Sequence, residues 1–393
     1  MTAHRLVARA STALSRTSTR SWVDAPVCLR TGSLAKLLGR HKSGLLTAGR
    51  GVKSSGRSNF HTTAPNMLAS QPKSDGNGTE ASSGQYGTGS PLVSTSWLAD
   101  NLDKVVLLDA TWYLQPGPPA AMGPDEQWAY EQSHKKQPVQ KDARKEFEER
   151  HIKGARFFDL DKVSDQLSSL PHMLPTLEEF EEHVSEMGIK EDDHVVVYDG
   201  QGIFSAPRVW WTFKVFGHKN VSVLDGGLPK WLKESRPVES ALPQITKTSY
   251  KGEFDEELVI NYQDLLLHLS DFMYSKNFTI LDARPRGRFA GHAPEPRPGL
   301  PSGHIPSSIN IPAAELVDPT TKQMIPRKEI IRRLFVENVN LDKPIVTMCG
   351  SGVTAATLFL ALDFIGKKGD VKLYDGSWTE WAAKKDSPVK AWK

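Results

Sequence analysis

Cysteine is nearly absent: the chain of 393 residues holds two, Cys28 and Cys349. That count excludes a disulfide framework, and neither a CxxC pair nor a Cys/His cluster with zinc spacing is present, so no metal is expected. Long apolar runs are missing as well. The best candidate, Leu358 to Ile365, is interrupted by Asp363 and falls well short of the ~18 residues that a bilayer requires. No membrane span or membrane partner is expected. No glycine pattern of P-loop or dinucleotide type follows a strand, and no cofactor is expected. Acidic residues are scarce in one region, the amino terminus, where residues 1–66 carry eleven Lys or Arg against Asp24 alone. That region is therefore +10, and since the whole chain is +3 the remainder is −7. An acidic body excludes nucleic acid as a general partner.

Residues 1–66 are rich in Arg, Ser and Thr and lack a continuous apolar core. This is the composition of a mitochondrial transit peptide rather than a secretory signal, and it predicts delivery to the matrix with cleavage near Arg57 to Thr63. Initiation at Met67 would leave a cytosolic pool. Residues 67–90, rich in Gly, Ser and Asn, read as a flexible linker. Loss of the leader would remove Cys28 and leave Cys349 as the single thiol.

From Leu92 onward, short apolar runs alternate with amphipathic stretches. Val105 to Asp109, Val195 to Asp199 and Val221 to Asp225 read as buried strands ending in an acid. Thr176 to Met187 has helical spacing, with Thr176 as N-cap and Glu179 completing a capping box. Strands alternating with helices indicate a parallel α/β sheet covered on both faces. The series then repeats. Val195-Val-Val-Tyr-Asp199-Gly-Gln-Gly202 matches Ile345-Val-Thr-Met-Cys349-Gly-Ser-Gly352, Val221 to Gly226 matches Val371 to Gly376, and Trp231 matches Trp381, all 150 residues apart. Two α/β domains are expected, over 91–236 and 259–393, joined by a linker at 237–258. Asp199 stands where the second copy has Cys349, so thiol chemistry belongs to the second copy.

Cys349 ends an apolar strand pattern, and after Gly350-Ser351-Gly352-Val353-Thr354 a helical pattern begins. A helix amino terminus presents N–H groups without internal partners and a positive dipole end, which binds anions and favours thiolate over thiol. Gly350 and Gly352 permit close approach of the backbone, and Ser351 and Thr354 offer hydroxyls.

The tandem, with His151-Ile152 and His304-Ile305 in the two copies, Ser205 to Trp211 in the first, and Cys349 to Thr354 and Asp375-Gly-Ser-Trp378 in the second, resembles the two-domain rhodanese-type sulfurtransferases from about Leu92 to Trp381. The resemblance implies tandem rhodanese-like domains in which Cys349 is a nucleophile that takes sulfur as a persulfide, cradled by Gly350, Gly352, Val353 and Thr354. It implies that Arg288 and Arg297 hold the carboxylate and keto oxygen of the substrate, for which planar guanidinium donors are suited. Asp161 and His172, in the first copy, are implied to act with Ser351 in moving a proton. Members that use thiosulfate place Arg and Lys directly after the cysteine; Gly350 and Ser351 here resemble the loop of members that use 3-mercaptopyruvate. Ala355, where phosphatases of this fold need Arg, argues against phosphate chemistry. A small thiol or a thioredoxin-like dithiol is the implied acceptor. Arg208 and the aromatics Trp210, Trp211, Phe213 and Phe216 are expected to pack a helix on the first sheet, with no chemical role. The competing readings are a thiosulfate sulfurtransferase, a persulfide relay serving a protein partner, and a merely structural Cys349.

Overall fold

The computed structural model describes residues 86, 89–114, 141–270, 278–297, 299–367 and 369–392; the basic leader, Cys28, Met67 and most of the expected 67–90 linker lie outside the described residues. All described residues belong to one compact unit. The first sheet contains β1 (Leu92–Val93), β2 (Val106–Asp109), β4 (Arg156–Phe157), β5 (Val195–Tyr198) and β6 (Val221–Leu224), while β3 (His151–Ile152) pairs antiparallel with β7 (Val238–Glu239). The second contains β8 (Val259–Ile260), β9 (Thr279–Asp282), β10 (Ile309–Asn310), β11 (Ile345–Met348) and β12 (Val371–Tyr374). Their orders are β1-β6-β5-β2-β4 and, read from the matching edge, β8-β12-β11-β9-β10, with every pair parallel. The two sheets thus have the same topology, as the repeat predicts.

The central strands are all or mostly buried β-branched and aliphatic residues, as a sheet covered on both faces requires. The helix Leu177–Glu186 has the expected capping box between Thr176 and Glu179. The helix Ala206–Val215 begins with Pro207 in its first turn, where a missing N–H costs nothing. Its residues Trp210, Trp211 and Phe213 are buried, each contributing ~1.5–3 kcal/mol of apolar burial. This helix and its counterpart Ala355–Ile365 face each other, Trp210 meeting Phe359 at a ring distance of 6.0 Å, and one apolar core continues across both halves. Two smaller cores, around Trp231 and around Trp378 and Trp381, cover the outer faces of the sheets. Because both inner helices start at the carboxyl ends of central strands, the Asp199 and Cys349 loops open on the same side as the cleft between the halves, where α/β proteins bind ligands.

Candidate active site

Cys349 follows β11 directly and is buried at the floor of a cavity of about 650 Å³ lined by both halves. Its backbone is fixed by the motif after β12. Ser377 Oγ accepts from the Cys349 N–H (3.1 Å) and donates to the Tyr374 carbonyl (2.8 Å), while Trp378 N–H donates to the Cys349 carbonyl (3.0 Å). Thr379 N–H and Oγ both donate to the Gly350 carbonyl. With its carbonyls held from behind, the loop turns its N–H groups the other way. From Gly350 to Thr354 these N–H groups find no acceptor among the described residues. Gly352 has a φ of +78°, and a Cβ there would strike Arg208 and Asp375, so this position requires glycine.

The counterpart loop shows what such a loop holds. Asp199 folds its carboxylate back into the nest: Oδ1 accepts from Gln201 N–H (2.8 Å), and Oδ2 from Phe204, Ser205 and Ala206 N–H (2.8, 3.0 and 2.9 Å). Gly200 N–H donates to Thr111 Oγ. The first half therefore carries its own anion where the second carries a thiol.

Arg288, on the helix Arg286–Ala290, donates from Nε to Glu295 Oε2 (3.0 Å) and from Nη2 to the same oxygen. Glu295 is held in turn by Arg284, which also binds Asp282 and the Gly303 carbonyl and lies over the Trp378 ring at 4.1 Å. This buried network aims the Arg288 guanidinium at Gly350: Nη2 lies 3.0 Å from where a Cβ of residue 350 would stand. Arg297 lines the same cavity. Burial pushes its guanidinium below its ordinary pKa, while the Cys349 sulfur and the Asp161 carboxylate support its charge.

Asp161, His172 and Ser351 are brought together across the cleft. His172 Nε2 lies 3.0 Å from Asp161 Oδ1, and Nδ1 lies 3.2 Å from Ser351 Oγ. Since a carboxylate can only accept, the tautomer with hydrogen on Nε2 fits, leaving Nδ1 to accept from the Ser351 hydroxyl. His172 and Ser351 are buried, whereas Asp161 is exposed in the cleft. The hydrogen bond from His172 holds the Asp161 carboxyl below the usual carboxylate range. Trp112 Nε1 donates to both Asp161 oxygens (3.0 and 3.1 Å) and sets its ring edge-on to His172 at 4.7 Å. His172 has a φ of +61°, a left-handed conformation that costs a non-glycine residue about 1 kcal/mol or more.

All the sequence-predicted residues therefore surround one cavity or touch its lining. Sequence reasoning missed Glu295, Arg284, Trp112 and Ser377. It also placed Arg208 merely in a packing helix; the helix does pack on the first sheet, but the guanidinium reaches across to Asp375 in the second half. A cation within Ala-Pro-Arg-Val-Trp-Trp was the available signal, because a buried charge needs a partner. Among the described residues no group of three or more His, Cys, Asp or Glu is arranged to hold a metal ion, and no helix is long and apolar enough to cross a membrane.

Residues 125–234 and 267–384 each match the rhodanese-like domain. The chain is 42% identical over 299 residues to the 3-mercaptopyruvate sulfurtransferase of Homo sapiens, covering 74% of this chain and 91% of that protein. It is also 42% identical over 329 residues to the mitochondrial thiosulfate/3-mercaptopyruvate sulfurtransferase 1 of Arabidopsis thaliana, covering 79% and 80% of the two. Among solved structures, the sub-stoichiometric sulfur transferase subunit of yeast mitochondrial complex I superimposes with a TM-score of 0.65 at 34% identity, covering 76% of this chain and 99% of that one. With both halves matched in sequence and the same sheet order twice over, the chain belongs to the rhodanese family and carries two rhodanese-like domains in tandem.

Proposed function

We propose that this chain is a 3-mercaptopyruvate sulfurtransferase, with the half at 91–236 non-catalytic and the half at 259–393 catalytic. The Cys349 thiolate attacks the substrate sulfur, the carbon–sulfur electron pair passes to the substrate's C3, and a pyruvate enolate departs from a cysteine persulfide. The proton given up by the substrate thiol passes through Ser351 Oγ to His172 and returns by the same path to C3. Asp161 stabilises the imidazolium in between. Arg288 and Arg297 hold the carboxylate and keto oxygen, and the N–H groups from Gly350 to Thr354 receive the anionic outer sulfur. An acceptor thiolate then attacks that sulfur and leaves with it, restoring the Cys349 thiolate.

The observation that carries this reading is the Gly350–Arg288 contact. A side chain at 350 would meet the Arg288 guanidinium, so the cation of this loop comes from the substrate-carboxylate side rather than from residues next to the thiol. That arrangement suits a monoanionic keto acid better than a dianion. Mass spectrometry after treatment with 3-mercaptopyruvate should find one added sulfur on Cys349, and kcat/KM should favour 3-mercaptopyruvate over thiosulfate. A preference for thiosulfate would support the second reading, thiosulfate sulfurtransferase, which the double name of the Arabidopsis relative favours.

The described residues hold a single cysteine, so no second thiol there can resolve a persulfide and an outside acceptor is required. A thioredoxin-like dithiol is the proposed acceptor, and the resemblance to a complex I subunit supports protein partners as a class. The basic leader and the mitochondrial name of the Arabidopsis relative support a matrix location, with Met67 as the start of a cytosolic form.

A further inference from the structure

The two halves exchange loops reciprocally. After β6, Asp225 accepts from Met324 N–H of the other half (2.7 Å). After β12, Asp375 accepts from Leu174 N–H of the first half (2.8 Å). Asp225 and Asp375 are 150 residues apart, and so are Leu174 and Met324. Two residues before each N–H, His172 and Lys322 have φ of +61° and +63°, again 150 apart. The symmetry then breaks at Arg208. This guanidinium, on the first inner helix, donates from Nη1 to Asp375 Oδ1 and from Nη2 to the His172 carbonyl, whereas its counterpart Leu358 has no charge to offer. Arg208 and Asp375 are both buried. The first half's 172–174 loop is therefore gripped at the His172 carbonyl and at the Leu174 N–H, and the 322–324 loop has no equivalent of the first grip.

We infer that the Arg208–Asp375 pair is a positioning strut that fixes the 172–174 loop against the second half at the His172 carbonyl, so that the imidazole meets Ser351. The inference rests on the proton relay proposed above. A Lys at 208 keeps the charge but lacks the planar fork that binds a carboxylate and a carbonyl together. Loss of the strut leaves Cys349 able to attack sulfur while His172 no longer reaches Ser351. The effect therefore depends on the donor. 3-Mercaptopyruvate releases a carbon that must gain a proton, and thiosulfate releases sulfite, which need not.

The test compares Arg208→Lys, Asp375→Asn, His172→Gln and Asp225→Asn in single-turnover persulfide formation on the full chain, followed by mass spectrometry. Arg208→Lys, Asp375→Asn and His172→Gln are expected to slow loading from 3-mercaptopyruvate at least tenfold and to leave loading from thiosulfate within about threefold. Asp225→Asn removes the charge from the mirror-related contact between the halves, keeping an amide oxygen as the acceptor for Met324 N–H, and should leave the ratio of donors unchanged. Independently, the ring ¹⁵N signals of His172 should move toward those of free imidazole in Arg208→Lys and Asp375→Asn but not in Asp225→Asn. Equal losses on both donors, a donor split in Asp225→Asn, or unmoved ¹⁵N signals would overturn the strut. If His172→Gln alone shows the split, the relay stands and the strut falls; if His172→Gln shows none, the relay falls and takes the strut with it.

Discussion

The loops after β5 and β11 stand at matching positions in the two sheets and have opposite contents. In the first, the Asp199 carboxylate binds four N–H groups of its own loop and helix start. In the second, Cys349 occupies the same position, the N–H groups from Gly350 to Thr354 find no acceptor among the described residues, and Ala356 N–H turns to the Val353 carbonyl instead. The carboxylate makes the first loop a finished structural element, because charge-assisted bonds satisfy every donor it faces. The thiol is too short and too weak an acceptor to do the same, so its loop keeps its donors open. The change from Asp199 to Cys349, with Gln201, Ile203, Phe204 and Ser205 giving way to Ser351, Val353, Thr354 and Ala355, thus separates a loop closed on its own carboxylate from one whose N–H groups stay open.

Replacing Cys349 breaks the comparison most sharply. Cys349→Ser should lower turnover at least ~10³-fold, as loss of a nucleophile typically does, since the Asp199 half has no thiol to substitute. Cys349→Asp should be equally inactive yet fold as stably as the parent, with the new carboxylate bonding to its own loop as Asp199 does; thermal unfolding checks this. The converse change, Asp199→Ala, should cost stability rather than chemistry. It strands four N–H groups, two of them buried and two half-buried, and a loss of about 3 kcal/mol in denaturant unfolding is expected, with kcat per folded molecule nearly unchanged. Arg288→Ala should reduce kcat/KM for 3-mercaptopyruvate by ~10²-fold, Arg288→Lys by less, because a lysine cannot reproduce the bidentate contact.

A smaller effect sharpens the same contrast one strand away. Asp282 is neutralised by Arg284, whereas its counterpart Asp109 has Thr111 as partner and no cation; burial raises its pKa from 3.8 to about 6. Its folded pKa lies above the unfolded one, so the stability it contributes is complete below about 3.8 and is lost as pH rises through about 6. Asp109→Asn should flatten that part of the stability curve, by at most ~3 kcal/mol for a shift of about two units.

Much of this was legible because it is local or periodic. The strand ending in Asp109, the strands that stop one residue short of Asp199 and Asp225, the Thr176–Glu179 capping box and the 150-residue repeat all read directly from residue order, to within a residue at the strand ends. The cysteine loop was legible because its glycines and following helix are contiguous with it. The relay was named only through resemblance, since His172 and Ser351 are 179 residues apart and no periodicity brings them together. Glu295, which anchors both Arg284 and Arg288, looked like a residue of a proline-rich loop, and Arg208 like a helix residue among aromatics. Both owe their importance to partners on other elements, reached through tertiary packing that residue order does not encode visibly.

The exchanged loops also limit how far each half is a module. Duplicated domains are ordinarily interchangeable parts, joined by a linker and free to be recombined. Here the Leu174 and Met324 N–H groups each end on a carboxylate of the other half. A chimera that takes one half from this chain and the other from a distant relative will therefore need a carboxylate at 225 or 375 in each half and, opposite it, a loop that brings a backbone N–H within reach.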